Sequence, residues 1–256
     1  MSSNSEKDMI SQRDIDLLRE KFPREEDFEE ALRLIEDRVP LAYIIGEWYF
    51  YGETYKVNPA CLIPRPDTEH LVDQAIKLLP KNGRFADLCT GSGCIAISTL
   101  VHREDTRGYA ADISPDALEI AKYNAEVNGV AGRLIFSCID VLNGSLDFDG
   151  EPLDMIISNP PYIETDTVGT LEPEVLYEPK LALDGGTDGL DFYRALIKKC
   201  PPHIKDGGWL IFEIGYNQGE ALIKLSKEAG GRIGEAKILK DYGRNDRVAL
   251  IQIGNS

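Results

Sequence analysis

The run Leu153-Asp154-Met155-Ile156-Ile157-Ser158 is almost wholly apolar and stops at Asn159-Pro160-Pro161-Tyr162. A short apolar run bounded by turn residues reads as a strand buried on both faces, the kind found inside parallel sheets. It cannot be prolonged, because proline has no N–H to give to a ladder. Proline also pushes the residue before it out of the helical region, so Asn159 is held extended with its amide and carbonyl projecting from the end of the sheet. That end suits a substrate carrying a planar NH2 group. The Asn159 side-chain oxygen and the Pro160 carbonyl can each accept one amide hydrogen, while Tyr162 packs on the flat face. Asn159, Pro160, Pro161 and Tyr162 are therefore the candidate catalytic residues, and a purely rigid turn after a core strand is the plainer alternative.

A second motif lies upstream. Arg84-Phe85-Ala86-Asp87-Leu88 reads as a strand, Cys89-Thr90-Gly91-Ser92-Gly93 as a turn, and Cys94 to Leu100 as a helix. Strand, glycine-rich turn and helix form the nucleotide-binding half of a doubly wound α/β unit. The glycines let a ligand approach the backbone, and the helix start offers unpaired N–H groups. A dinucleotide is disfavoured: the third glycine of G-x-G-x-x-G is missing, and Asp87 would repel a pyrophosphate. An acid there suits a cation. S-adenosylmethionine carries a sulfonium and an ammonium, and the Asp87 carboxylate is placed to hold the ammonium. Asp112 ends the next strand, Gly108 to Ala111, where an acid can accept both ribose hydroxyls. Ser114 and Pro115 then open a helix that stops at Gly129, so Asp112 also reads as a companion of the cap. A third strand, Leu134 to Ser137, leads to Asp140, which is a candidate for the adenine amino group or a simple turn residue.

Composition narrows the class. With 44 acidic and 28 basic residues the net charge is −16, which repels phosphate backbones and speaks against a nucleic-acid partner. No apolar stretch approaches the roughly 20 residues that span a bilayer, and Met1 to Asp8 lack a signal-peptide layout. A cytoplasmic monomer is expected. The five cysteines form no Cys-x-x-Cys pair and the three histidines are scattered, so no metal site is expected.

Three regions are expected along the 256 residues. Residues 1–39 form a short helical region, with apolar faces around Ile15-Leu18 and Phe28-Leu32-Ile35. Residues 40–62 form a linker whose aromatic-rich stretch Leu41 to Val57 reads as a β-hairpin. Residues 63–256 form the catalytic domain. Within it, 163–190 shows no periodicity and reads as a functional loop. A helix from Asp191 to Cys200, a strand from Trp209 to Ile214, a helix from Gln218 and two closing strands follow. This is the layout of a class I S-adenosylmethionine-dependent methyltransferase: Rossmann-like, with a seven-stranded mixed sheet.

Leu62-Ile63-Pro64-Arg65-Pro66-Asp67-Thr68-Glu69, Asp87 to Gly93, Asn159 to Tyr162, and Glu178-Pro179 with Gly185-Gly186 and Asp188-Gly189-Leu190 together resemble the HemK/PrmC family. Those enzymes methylate the side-chain amide of the glutamine in the Gly-Gly-Gln loop of class I peptide chain release factors. The resemblance spans Pro40 to Ile253. It implies that Cys89, Thr90, Gly91, Ser92 and Gly93 line the methionine end of the cofactor, that Asp112 takes the ribose, and that Asp140 and Val141 border the adenine. Asn159 and the following carbonyl would grip the glutamine amide, with no metal. Relatives carry a longer N-terminal helical domain that helps to dock the release factor. Many have Gly where this chain has Cys89, and an aromatic where it has Val141.

Other readings share the notch. An N6-adenine DNA methyltransferase would seat a flipped base there, a glutamine methyltransferase of a ribosomal protein would use it likewise, and a non-catalytic binding module would keep the fold alone.

Overall fold

In the computed structural model, which describes residues 10–254, the apolar runs become strands of one sheet. The signal-peptide reading of Met1 to Asp8 lies outside the described residues. Two helices come first, α1 (Gln12–Lys21) and α2 (Glu25–Glu36). Ser11 and Asp14 close a reciprocal capping box on α1. Leu18, Phe28 and Ala31 pack with Ile45 into a small apolar cluster of their own. The stretch from Leu41 differs from the hairpin expected there: it opens as α3 (Leu41–Ile45). Pro40 precedes this helix rather than breaking the pattern, since its fixed φ suits a helix start. Gly46, at φ +80, ends the helix, and only then do β1 (Glu47–Phe50) and β2 (Glu53–Lys56) pair antiparallel.

A helix not expected from the sequence follows, α4 (Glu69–Leu78). Thr68 stands before it but makes no capping hydrogen bond, because it is already in the helical region at the end of a 3-10 turn over Pro66–Thr68. The doubly wound part then runs β3 (Arg84–Leu88), α5 (Cys94–His102), β4 (Arg107–Asp112), α6 (Pro115–Val127), β5 (Leu134–Cys138) and β6 (Leu153–Ser158). The short α7 (Thr165–Val168), α8 (Asp191–Lys199), β7 (Ile204–Glu213), α9 (Gly219–Ala229), β8 (Lys237–Lys240) and β9 (Asp246–Gln252) complete it.

The seven strands are ordered β5-β4-β3-β6-β7-β9-β8, parallel except for β9, which runs antiparallel to both neighbours. The chain therefore builds outward from β3 in one direction and then restarts beside β3 with β6, so the strand order reverses between those two. Ligands in open α/β sheets bind at such a point, outside the carboxyl ends of the strands. Both faces of the sheet are covered, which explains the unbroken apolar strands. Ile156 packs on the side of Tyr193 and Leu196 from α8. Its neighbours Met155 and Ile157 pack on the other side, with Leu71 from α4 and Ile97 and Leu100 from α5.

Candidate functional site

The carboxyl ends of β3, β4 and β6 open onto a cavity of about 340 Å3. Cys89, Thr90, Gly91 and Ser92 line it from the turn after β3, Asp112 from the end of β4, Asp140 and Val141 from beyond β5, and Asn159 and Pro161 from beyond β6. The structure thus gathers nine of the thirteen candidate site residues around one space. Asp87, Gly93, Pro160 and Tyr162 do not line it.

Asp87 sits beneath the turn rather than in the cavity lining. It is 0% exposed, and its Oδ2 accepts hydrogen bonds from the Thr90 hydroxyl at 2.6 Å and the Ala96 N–H at 3.2 Å. With Oδ2 held in this way the carboxylate supports the turn from below, while Oδ1 has no partner among the described residues. Burial pushes its carboxyl up to about 7, against the pull of those two donors. The turn itself is left-handed at three points: Cys89 (φ +58), Gly91 (φ +55) and Gly93 (φ +82). Cys89 fits the space, but a side chain in this conformation costs on the order of 1 kcal/mol, which accounts for glycine being the easier residue there. Gly93 is a packing glycine, since a Cβ would stand 2.9 Å from Ile97 Cδ1 and 3.1 Å from Ala121 Cβ.

Asp112 accepts from the Gly91 N–H and the Ser114 N–H, each at 2.9 Å. It therefore ties the first turn to the second, and burial raises its carboxyl in spite of the two bonds. The Ser114 hydroxyl caps α6 independently. Asp140 spends both oxygens on its own turn, accepting from Leu142 N–H, Asn143 N–H and the Asn143 side-chain amide. Those bonds hold its carboxyl below the usual range.

At the end of β6, Asn159 Nδ2 lies 3.2 Å from Thr68 Oγ1, and Thr68 Oγ1 lies 2.6 Å from Glu213 Oε2. Asn159 Oδ1 accepts no hydrogen bond among the described residues, so the amide turns its donor to the wall. The Tyr162 hydroxyl points to Glu213 Oε1 at 3.4 Å, and the Tyr162 carbonyl accepts from Gln218 Nε2 at 3.0 Å. Tyr162 thus braces the notch from behind. Sequence reasoning missed Thr68 and Glu213. The signal was present, because Glu213 ends an apolar strand just as Asp87 and Asp112 nearly or fully end theirs.

The 163–190 loop does cover the cavity, with Pro179, Leu181 and Ala182 in its lining. Glu178, 4% exposed, accepts from the Ile63 N–H at 3.0 Å and from the Arg65 guanidinium. Arg65 braces this loop, while Glu69 accepts from the Tyr51 N–H, tying the hairpin to α4. The loop is also held from the other side. Arg38 pairs with Glu174 at 2.6 Å, and the Tyr177 hydroxyl donates to the Asp37 carbonyl at 2.7 Å.

The donor set fits a cationic nucleoside cofactor. Ser92 Oγ and Asp87 Oδ1 are buried polar atoms without a hydrogen-bond partner, Gly91 brings the cavity wall close by having no side chain, and Asp87, Asp112 and Asp140 stand near the carboxyl ends of three neighbouring parallel strands. Comparison with known proteins agrees with this geometry. Residues 68–186 match the methyltransferase small domain. The chain is 42% identical over 227 residues to the release factor glutamine methyltransferase of Cereibacter sphaeroides, covering 88% of this chain and 79% of that one. It is 36% identical over 216 residues to the namesake from Aquifex aeolicus, covering 84% and 75%. Among solved structures, the M. jannaschii tRNA m1G37 methyltransferase superposes with a TM-score of 0.56 at 21% identity, over 82% of this chain and 57% of that one, a likeness of fold.

Proposed function

This chain belongs to the release factor glutamine methyltransferase family, and we propose that it methylates the side-chain amide nitrogen of the glutamine in the Gly-Gly-Gln loop of class I peptide chain release factors. The observation that carries this reading is the Asn159 amide. Its donor is tied to Thr68, which leaves a directed acceptor at the mouth of a cavity suited to a sulfonium cofactor. S-adenosylmethionine, when bound, supplies the methyl group and the positive charge from which it departs.

In this proposal Thr90, Gly91 and Ser92 hold the methionine end, Asp112 the ribose, and Asp140 with Val141 the adenine. Asn159 Oδ1 and the Pro160 carbonyl accept the two hydrogens of the substrate amide and so fix the plane of its nitrogen. Pro161 keeps that turn rigid, and Tyr162 secures it to Glu213. An amide nitrogen is a weak nucleophile, and these residues contribute alignment, which can supply about 7–11 kcal/mol when reacting atoms are held in line. The N-terminal region, 1–39, and the linker, 40–62, are assigned to substrate docking beside a catalytic domain of 63–256. The proposal takes the protein to act as a monomer in the cytoplasm, where release factors work. No helix among the described residues is long and apolar enough to cross a membrane.

The test is direct. The protein is incubated with methyl-labelled S-adenosylmethionine and, separately, a class I release factor, ribosomal protein or duplex DNA, and the product is mapped by mass spectrometry. Label on the glutamine of the release-factor loop is expected. Label on DNA adenine or on a ribosomal protein alone would overturn the assignment.

A further inference from the structure

Against the Asn159 amide stand two buried polar side chains that the reaction above uses only as its wall, Thr68 and, beyond it, Glu213. Thr68 and Glu213 are each 2% exposed, and they come from distant parts of the chain, the turn before α4 and the end of β7. Their contacts form a line: Glu213 Oε2, Thr68 Oγ1 at 2.6 Å, then Asn159 Nδ2 at 3.2 Å. A threonine hydroxyl has one proton. Committed to a carboxylate, which can only accept, that proton is not available to Asn159. Thr68 must then accept from Asn159, so the amide presents Nδ2 to the wall and Oδ1 to the cavity. A carboxamide is nearly symmetric in shape, and sterics alone do not choose between its two orientations. Turned over, it would offer its own NH2 to an incoming NH2, donor against donor.

We infer that Glu213 and Thr68 are positioning residues that set the polarity of the Asn159 amide, the carboxylate ordering the hydroxyl and the hydroxyl ordering the amide. This rests on the reading of Asn159 as the grip for the substrate amide. It assigns a purpose to the Pro-Asp-Thr segment, 66–68, and to the buried acid at the end of β7.

The surroundings of Glu213 support the arrangement. Burial pushes its carboxyl up to about 7, while the Thr68 hydroxyl and Arg247 from β9 favour its charged form and Asp67 opposes it. The Tyr162 hydroxyl stands at 3.4 Å, the Tyr193 hydroxyl donates to the Glu213 backbone carbonyl at 2.9 Å, and the Cys94 thiol faces it from α5. Arg247 is itself anchored to Asp67 and Asp241, each at 3.1 Å. Once protonated, Glu213 can donate to Thr68, which frees the hydroxyl to donate to Asn159 and reverse the amide. Turnover therefore falls as pH drops through about 7. Asp87 titrates in the same range, and its effect is separated by working at saturating cofactor.

The experiment compares wild type, Thr68→Val, Thr68→Ser, Glu213→Gln and Asn159→Ala with S-adenosylmethionine and a class I release factor, measuring kcat across pH 5.5–8.5 (a range of about 1.5 units either side of neutrality) and cofactor Kd by calorimetry. Thr68→Val is expected to lower kcat about tenfold, the effect of losing one neutral hydrogen bond, with cofactor Kd within about twofold. Thr68→Ser should recover most of it. Glu213→Gln should remove the acidic fall in kcat, which serves as the test even if Thr68→Val folds poorly. If Asn159→Ala is inactive while Thr68→Val turns over normally, or while Glu213→Gln keeps the wild-type pH profile, the positioning role is wrong and the grip stands. If Asn159→Ala is itself near normal, the grip is wrong and this inference goes with it.

Discussion

Replacing Gly185 by alanine tests whether the covering loop and the Asn-Pro-Pro-Tyr turn act as one rigid piece. A Cβ at 185 would stand 2.7 Å from Tyr162 Cα, 2.8 Å from the Pro161 carbonyl oxygen and 2.9 Å from the Tyr162 carbonyl carbon. All three are backbone atoms, so no side chain can rotate away. Ordinary contact begins near 3.4 Å, and the two segments must part by about 0.7 Å. They are pinned against doing so. Gly185 N–H donates to the Ile163 carbonyl at 2.8 Å, Ile163 N–H to the Leu183 carbonyl at 3.0 Å, and Asp191 N–H to the Gly185 carbonyl at 3.1 Å. Overpacking of this kind costs about 1–3 kcal/mol, equivalent to a fall in Tm of about 3–10 °C for a chain of this size. The displaced atoms lie two to three residues from Asn159. A misplacement approaching 1 Å at a reacting group lowers turnover by about 100-fold, and at this remove a loss of about tenfold or more in kcat is expected. Thermal melts and steady-state kinetics on one preparation measure both. A variant that melts within about 1 °C of wild type and keeps kcat within twofold would refute the rigid coupling of loop and turn.

Three further outcomes are expected. Asn159→Ala should lower kcat by about 100-fold, as deletion of a directed acceptor or donor does at other sites, with cofactor binding retained by calorimetry. Asp87 and Glu213 have folded-state pKa values raised to about 7, so between pH 4 and 7 the unfolded chain gives up its protons first and stability falls as pH rises. The slope is up to about 1.4 kcal/mol per pH unit for each group; depressed carboxyls such as Asp184 act only below about pH 4. Melts of the cofactor-free protein should show this slope, and Asp87→Asn should flatten it. Arg65→Met leaves the Glu178 carboxylate buried with one N–H donor; because Arg65 is itself partly exposed, the loss should be about 1–3 kcal/mol, felt in the loop. Hydrogen exchange should then quicken across 172–184 with the sheet unchanged, and unaltered exchange there would contradict the bracing role.

The parts legible in the sequence are those where local chemistry leaves little choice. β6 matches the apolar run residue for residue, because Met155, Ile156 and Ile157 are buried on both faces and the two prolines after Asn159 fix where the strand stops. The turn after β3 and the cap of α6 were legible for the same reason, through glycine, Ser114 and Pro115. α4 was not, since a 3-10 turn over Pro66–Thr68 runs straight into it and Thr68 is already in the helical region, so no conventional cap marks where the helix begins. α3 was hidden by its brevity and by its aromatic neighbours. Within the site, Asp87, Asp112 and Asn159 announce themselves as polar residues ending apolar strands. Their depth does not, and nothing in the sequence says that Asp87 is fully buried beneath the turn. Thr68 and Glu213 lie 145 residues apart, and nothing local ties one to the other.

The place of β9 between β7 and β8 governs how such a chain can be assembled on the ribosome. β8 is synthesised first, yet its only partner in the sheet is the strand that follows it, and that strand must slot in beside β7 at the same time. Until residue 252 has left the exit tunnel, the β7 border of the growing sheet has no strand beside it, so the sheet closes on this side only when the last strand arrives.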